Sequence, residues 1–512
     1  MSTSAAQDNV ARAEPADNTR HVRVAIVGTG FSGLGLAIRL KQRGMTDFVL
    51  LERAEDIGGT WRDNTYPGCA CDVPSHLYSF SFAPNSNWSR HFSPQREIWA
   101  YLRDCAARFG VSSHIRYGHE LLEAAWDEGA GLWRIETSQG PFTADALALG
   151  NGPLSEPSIP TIAGLERFGG AVFHSAHWDH QHDLSGERVA VIGTGASAIQ
   201  FVPLIQPQVK HLTLFQRTPP WIIPRKDYAI SPEWRARFRR YPILQRLTRG
   251  AIYLQREIGA LALVYRPRLM RGAARIAREH LAAQIADPTL RAKLTPHYQM
   301  GCKRILLSDD FYPAVASANV EVVTERVREV TEHGVVADDG SERPVDTIIL
   351  ATGFRVTDMP AARHVRGRGG RTLTEAWRAG PRAYLGTTVS GFPNLFLLIG
   401  PNTGLGHTSM IYMIESQLAY IIDCLRLMRQ RGACAVEPRA EVQATYNEEM
   451  RRRMQGTVWT SGCASWYLDA GGMNSTLWPG FTWEYRWRTR HFDHANYLLT
   501  AGKTSREAVT TS

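Results

Sequence analysis

The stretch HVRVAIVGTGFSGLGLAIRLKQRG, residues 21–44, decides how the chain begins to fold. Val22 to Val27 is an apolar, largely β-branched run of strand length. Three glycines follow, Gly28, Gly30 and Gly33, and apolar residues then recur at helical spacing. FVLLER, residues 48–53, reads as the next strand. Strand, glycine-rich turn, helix and strand together predict a βαβ unit of the dinucleotide-binding kind. Such a turn brings the helix's free N–H groups to face an anion.

Outward from this unit, the pattern recurs. ERVAVIGTGASAIQFVPLI, residues 187–205, precedes the strand HLTLFQR, residues 211–217. TADALALGNG (143–152) closes the first copy and VDTIILATGF (345–354) the second, while VEVVTERV (320–327) reads as a further strand. The expected fold class is α/β, with two Rossmann-like dinucleotide-binding domains and a helical insertion. Residues 1–20 are expected to form a loose tail. Residues 21–160 would be the first part of the first domain and 161–222 the first part of the second. The insertion would occupy 223–300, the rest of the second domain 301–380, and 381–512 would return to the first. The segment GFPNLFLLIGPNTGLGHTSM (391–410) leads into a helix expected from near Thr408 to about Arg431. The Arg-rich helical block from Ser231 to about Thr295 has amphipathic spacing. It suits docking on a neighbouring domain or lying on a membrane surface, and the reading favours docking.

Composition limits the alternatives. The chain has 512 residues, 44% hydrophobic and 21% charged, as expected of a globular protein with more than one domain. No apolar run is long enough to span a bilayer, and the polar N-terminus lacks a signal peptide's apolar core. A charge of +9 admits nucleic acid as a partner, but no nucleic-acid motif accompanies it; polyphosphate cofactors explain it more simply. Seven cysteines, an odd number, argue for a reducing compartment and a cytoplasmic location. Cys69 and Cys71 lack a second pair or His cluster, so no metal site is expected and packing is the better account of them.

The two units differ where cofactor choice is made. Glu52 stands at the end of the first unit's second strand, where a carboxylate accepts ribose hydroxyls and repels a 2′-phosphate. In the second unit, Gly193-Thr194-Gly195-Ala196-Ser197-Ala198 opens the helix, and the equivalent strand ends in Arg217 and Thr218. A cation and a hydroxyl there suit a 2′-phosphate. One site excludes the extra phosphate and the other invites it, which implies FAD plus NADPH.

Three further segments carry a family resemblance. Phe168-x-Gly170-x-x-x-His174-x-x-x-Trp178-Asp179 reproduces the fingerprint of Baeyer–Villiger monooxygenases, class B flavoprotein monooxygenases, at every fixed position. Related enzymes that oxidise nitrogen or sulfur usually end this motif in Tyr or Phe. Gly58-Gly59-x-Trp61-x-x-x-x-Tyr66-Pro67-Gly68-x-x-x-Asp72 is similar to the family's second signature, with Ala70 standing where the family often has Arg. Disulfide reductases of the same double-nucleotide plan carry a redox cysteine pair after Gly-Gly-Thr, whereas this chain has Trp61. Gly301-Cys302-Lys303-Arg304 is the third segment. The resemblance spans roughly residues 20–495.

The resemblance implies NADPH-driven reduction of FAD, addition of O2 at the flavin C4a carbon, and attack on a ketone to give an ester or lactone. It makes Arg304 the catalytic arginine, oriented by Asp72, and gives Lys303 to the NADPH phosphate and Trp466 to the cover over NADP. Phe31, Ser32, Arg53, Thr60, Trp61 and Tyr78 are expected to complete the FAD site. The alternatives are a flavin monooxygenase acting on a sulfide or amine and a non-oxygenating flavin reductase.

Overall fold

The computed structural model describes residues 19–501 apart from Asp358, Ala464 and Ala470. Two sheets organise these residues, each holding one of the glycine-turn units. The first sheet is built on Arg20–Val27, which pairs in parallel with Phe48–Leu51 on one side and Gly140–Leu149 on the other. All four residues of Phe48–Leu51 are buried, as a parallel strand covered on both faces requires. Leu132–Thr137 and Leu121–Asp127 extend this sheet antiparallel beyond Gly140–Leu149. The helix Phe31–Gln42 covers one face and shares a core with the long helix Met410–Arg431. Late in the chain, Leu395–Leu397 pairs with Gly140–Leu149, carrying the C-terminal third back to the first unit.

The second sheet is wholly parallel: Val320–Val323, His211–Phe215, Arg188–Ile192, Thr347–Leu350 and Ala171–His174, in that order. Two sequence boundaries shift. The run 320–327, expected as one strand, is interrupted by the exposed pair Glu325 and Arg326. Val320–Val323 stays in the parallel sheet, and Val327–Val330 begins an antiparallel meander with Gly334–Ala337 and Glu342–Pro344. Within the span 301–380 expected for the second domain, Val365–Arg366 pairs with Leu121–Asp127 of the first sheet, with Val365 fully buried. The apolar side chains decide this earlier return, because Ala362, Val365, Leu373 and Trp377 share the core beneath the first sheet's antiparallel strands.

The insertion forms helices Pro232–Arg240, Pro242–Ala260, Met270–Gln284 and Pro288–Leu294. Three of them begin with proline, where a missing N–H costs nothing, and the Ser231 and Asp287 side chains cap two. The inner face of Pro242–Ala260 packs Leu244, Ile252 and Tyr253 onto the first unit's core, and Leu281 enters the second unit's core. Docking is therefore present, but only on inner faces. Among the described residues, no helix is long and apolar enough to cross a membrane.

The cysteine reading needs a correction. Cys302 and Cys463, 161 residues apart in sequence, are joined by a disulfide, and Cys69, Cys71, Cys105, Cys424 and Cys434 remain thiols. The pairing arises because the segment after the insertion and the 456–475 segment meet in one small core. Cysteine count carries no information about such a meeting.

Candidate active site

A cavity of about 490 Å³ opens at the C-terminal end of the first sheet. Gly28, Gly30, Phe31, Ser32, Glu52, Arg53, Gly59, Thr60, Trp61, Tyr78, Arg304 and Trp466 all line it. Gly33 stands behind it: a Cβ there would lie 1.9 Å from the Gly28 carbonyl oxygen, so only glycine lets helix and turn approach this closely. The helix Phe31–Gln42 starts at Gly30 with no side-chain cap and no acidic residue in its first turn. Its first N–H groups are thus free of side-chain partners beside the cavity, as a pyrophosphate needs.

Glu52 is buried and heavily engaged. It accepts hydrogen bonds from Thr29 N (3.1 Å), Thr29 Oγ1 (2.6 Å) and Ala54 N (3.1 Å), and Arg62 Nη1 lies 2.9 Å away. Four donors thus meet a group with about four lone-pair directions. Arg62 also bonds Asp63 and the Asp56 carbonyl. Nothing in the sequence marked Arg62. Arg53 pairs with Glu156 at 2.7 Å. Trp61 Nε1 donates to Tyr78 Oη at 3.1 Å, and Phe31 meets the Tyr78 ring edge-on, giving an aromatic wall.

Arg304 and Asp72, far apart in sequence, form a forked pair. Arg304 Nε donates to Asp72 Oδ2 at 2.9 Å, and Nη2 donates to Oδ1 at 2.7 Å. Arg304 lines the cavity and Asp72 holds it from behind. Burial would raise the Asp72 carboxyl, but the Arg304 guanidinium overrides that penalty and holds it below the usual range. Asp72 in turn raises Arg304. Tyr467 is buried against the same pair, and burial pushes its hydroxyl up to about 12 although Arg304 opposes this. Arg256, from the insertion, feels the Asp72 charge as well. Tyr467 and Arg256 escaped the sequence reading, because only folding brings these segments together. The ring of Trp466, partly exposed, sits 4.2 Å from that of Tyr467.

The second glycine turn lies outside this cavity, on the second sheet. A Cβ on Gly193 would come within 2.5 Å of the Ala351 carbonyl oxygen, and the helix Ala198–Ile205 follows Ser197 without a side-chain cap. Thr194 is buried, whereas Gly195 has room around it. Arg217, with Thr218 beside it, is exposed just past His211–Phe215. Lys303 is depressed by burial and then by Arg217, so two cations converge. Such a pair has the charge to hold an anion.

The fingerprint residues lie on and beside an edge of the second sheet. Ala171–His174 is an edge strand of the second sheet, with His174 opposite Leu350. His174 Nδ1 accepts from Ala176 N at 3.1 Å, and burial lowers the ring to about 4, so it is neutral at pH 7. Trp178 packs against Phe173 and Phe201, and Asp179 Oδ1 accepts from Gln181 N at 2.9 Å. Nearby, Gln200 ties the units together. Its amide accepts from Tyr66 Oη at 3.1 Å and donates to the Ala70 carbonyl at 3.0 Å. Ala70, where the family's arginine is missing, is thus held through its backbone. Among the described residues there is no cluster suited to a metal ion.

Residues 25–253 match the family described as pyridine nucleotide-disulphide oxidoreductase. A protein of Pseudomonas aeruginosa named Baeyer-Villiger monooxygenase is 54% identical over 94% of this chain and 92% of its own length. The structure of oxidized steroid monooxygenase bound to NADP superposes with a TM-score of 0.85 at 32% identity, covering 94% of this chain and 100% of that one. The closed crystal structure of cyclohexanone monooxygenase also gives a TM-score of 0.85, at 29% identity, with 94% and 100% covered.

Proposed function

Because the chain belongs to the Baeyer–Villiger monooxygenase family, we propose that, with FAD as bound cofactor, it consumes NADPH and O2 to insert one oxygen atom beside a ketone carbonyl, giving an ester or lactone while the other oxygen leaves as water. The observation that carries this reading is Arg304 on the wall of the glycine-turn cavity, gripped in a fork by Asp72. The residues present fit FAD: an uncapped helix start for the pyrophosphate, Glu52 for the ribose, and Trp61 and Tyr78 beside the ring system. Gly193 to Ala198 would hold the NADPH pyrophosphate, and Arg217, Thr218 and Lys303 its 2′-phosphate. Trp466 would cover the nicotinamide.

Bound FAD supplies the redox chemistry that activates O2, with electrons from NADPH. The chain supplies fixed charge and a dry wall. Arg304 stays protonated at any working pH and stabilises negative charge on oxygen as a carbonyl is attacked. Asp72 acts through Arg304 as a positioning residue. The raised Tyr467 hydroxyl keeps its proton, and its oxygen faces the same guanidinium. Leu405, Met410, Ile411 and Leu477 keep water out. The fingerprint residues would hold the junction between the units without moving protons. NADPH consumption assigns the enzyme to the cytoplasm in this reading, with sulfides and amines as secondary substrates.

The test is NADPH oxidation against a ketone panel under labelled oxygen gas, with a sulfide run alongside and products weighed by mass spectrometry. One labelled oxygen per ester is expected. Sulfoxide without ester, or NADPH turnover without labelled product, overturns the ketone reading.

A further inference from the structure

The outer face of the insertion's longest helix is unpartnered. On Pro242–Ala260 and its continuation, Ile243, Leu247, Leu254, Ile258 and Leu261 are exposed by 57%, 64%, 65%, 67% and 40%. At about 100° per residue these five fall within an arc of about 60°, a stripe about 27 Å long. The rest of the helix is anchored by polar groups. Gln245 bonds the Asn85 carbonyl, Arg249 Nη1 the His76 carbonyl at 2.8 Å, and Glu257 accepts from Thr482 Oγ1 at 2.8 Å. The stripe is therefore held outward by specific contacts. Rings extend it: Tyr265 stacks on Phe481 and Phe481 on Trp483, and Trp483 and Trp487 are more than half exposed.

Charge says what covers it. Residues 232–278 hold twelve arginines against two acids, Glu233 and the buried Glu257. Arg237, Arg239, Arg240 and Arg246 flank one end of the stripe, and Arg266 and Arg268 the other; all are exposed. A second copy docked face to face would oppose one arginine rim to another. An aliphatic stripe with tryptophans beside it and arginines around it matches the boundary between acyl chains and anionic headgroups.

We propose that this face docks the enzyme on an anionic lipid bilayer, with the stripe and the two tryptophans entering the headgroup–acyl boundary. No segment crosses; the helix lies in the interface plane. The same helix turns Arg256 inward toward Asp72, so docking sets the active site one helix away from the lipid. An apolar ketone dissolved in the bilayer is then the substrate placed closest to hand, a consequence that rests on the ketone reading, whereas the docking does not.

The experiment is sedimentation of the full-length holoenzyme with large vesicles of phosphatidylcholine alone or with a quarter phosphatidylglycerol, while tryptophan emission is followed. Binding to the phosphatidylglycerol vesicles is expected, with a blue shift and release at high salt. The double variant Leu254→Ser/Ile258→Ser is expected to bind at least about tenfold more weakly. Its melting temperature and its turnover of a soluble ketone without vesicles should match the parent. Absence of binding at low salt overturns the proposal, as does binding undiminished in the variant. A parent dimer in solution that the same substitutions dissociate also overturns it, by giving the stripe to a second copy.

Discussion

Arg304 and Asp72 illustrate how two loop residues become one device. A forked guanidinium–carboxylate pair fixes direction as well as distance, which a single-point lysine contact does not. Arg304→Ala is expected to keep reduction of bound flavin by NADPH while ester formation falls about 100-fold or more, measured by stopped-flow absorbance beside product yield. Asp72→Asn should lower kcat and leave the KM for NADPH nearly unchanged, since it touches the chemistry only through Arg304. Arg217 works differently. It ion-pairs with no carboxylate among the described residues, and Lys303 feels its charge. Arg217→Ala is expected to raise the KM for NADPH about 10- to 100-fold, as loss of a charge-assisted phosphate contact does, with NADH affected far less. Equal losses for the two nucleotides would count against the 2′-phosphate assignment. Both arginines were legible in the sequence because motif and spacing mark them. Tyr467, Arg62 and Gln200 carry no such mark.

For the secondary-structure elements, the fingerprint is read best through sterics. A Cβ on Gly170 would sit 2.0 Å from the Asp346 carbonyl oxygen and 2.7 Å from the Phe168 ring. Phenylalanine and glycine are therefore one packing unit at the start of the edge strand Ala171–His174. Gly170→Ala is expected to cost about 1–3 kcal/mol in holoenzyme unfolding by urea, through displaced backbone. Flavin content should persist, because the affected strand lies on the second sheet. The βαβ units were legible because a fully buried parallel strand is a continuous apolar run, and the glycine turn punctuates it. The run 320–327 misled for the same reason. Its apolar residues continue past a three-residue break that periodicity alone does not weigh, and sheet membership is a long-range property. The early return at Val365 is likewise a matter of which core Ala362, Val365, Leu373 and Trp377 enter.

At the scale of the whole molecule, two buried histidines make stability depend on acid. Burial lowers His76 to about 4, with His91 and Arg249 adding to the effect, and His174 to about 4, with His177 adding. Unfolding frees both to bind protons near pH 6.5, before the native state takes them up. The unfolded chain then holds more protons, so stability falls as pH drops from about 6.5 toward 4. The melting temperature should decline over that window, and the decline should be shallower in His76→Gln/His174→Gln; an unaltered slope would falsify the assignment. From sequence alone came the double dinucleotide plan, the contrast between Glu52 and Arg217, and the family, all written in local spacing or in side-chain chemistry at a fixed turn. Tertiary structure alone decided which loops share the cavity, that Cys302 meets Cys463, that Tyr467 backs Arg304, and that one face of the insertion stays bare. The reason is physical: propensity and periodicity act over one or two turns of chain. Pairing across hundreds of residues follows from how separate apolar surfaces are buried against each other, and an amphipathic helix does not encode what will cover its apolar side.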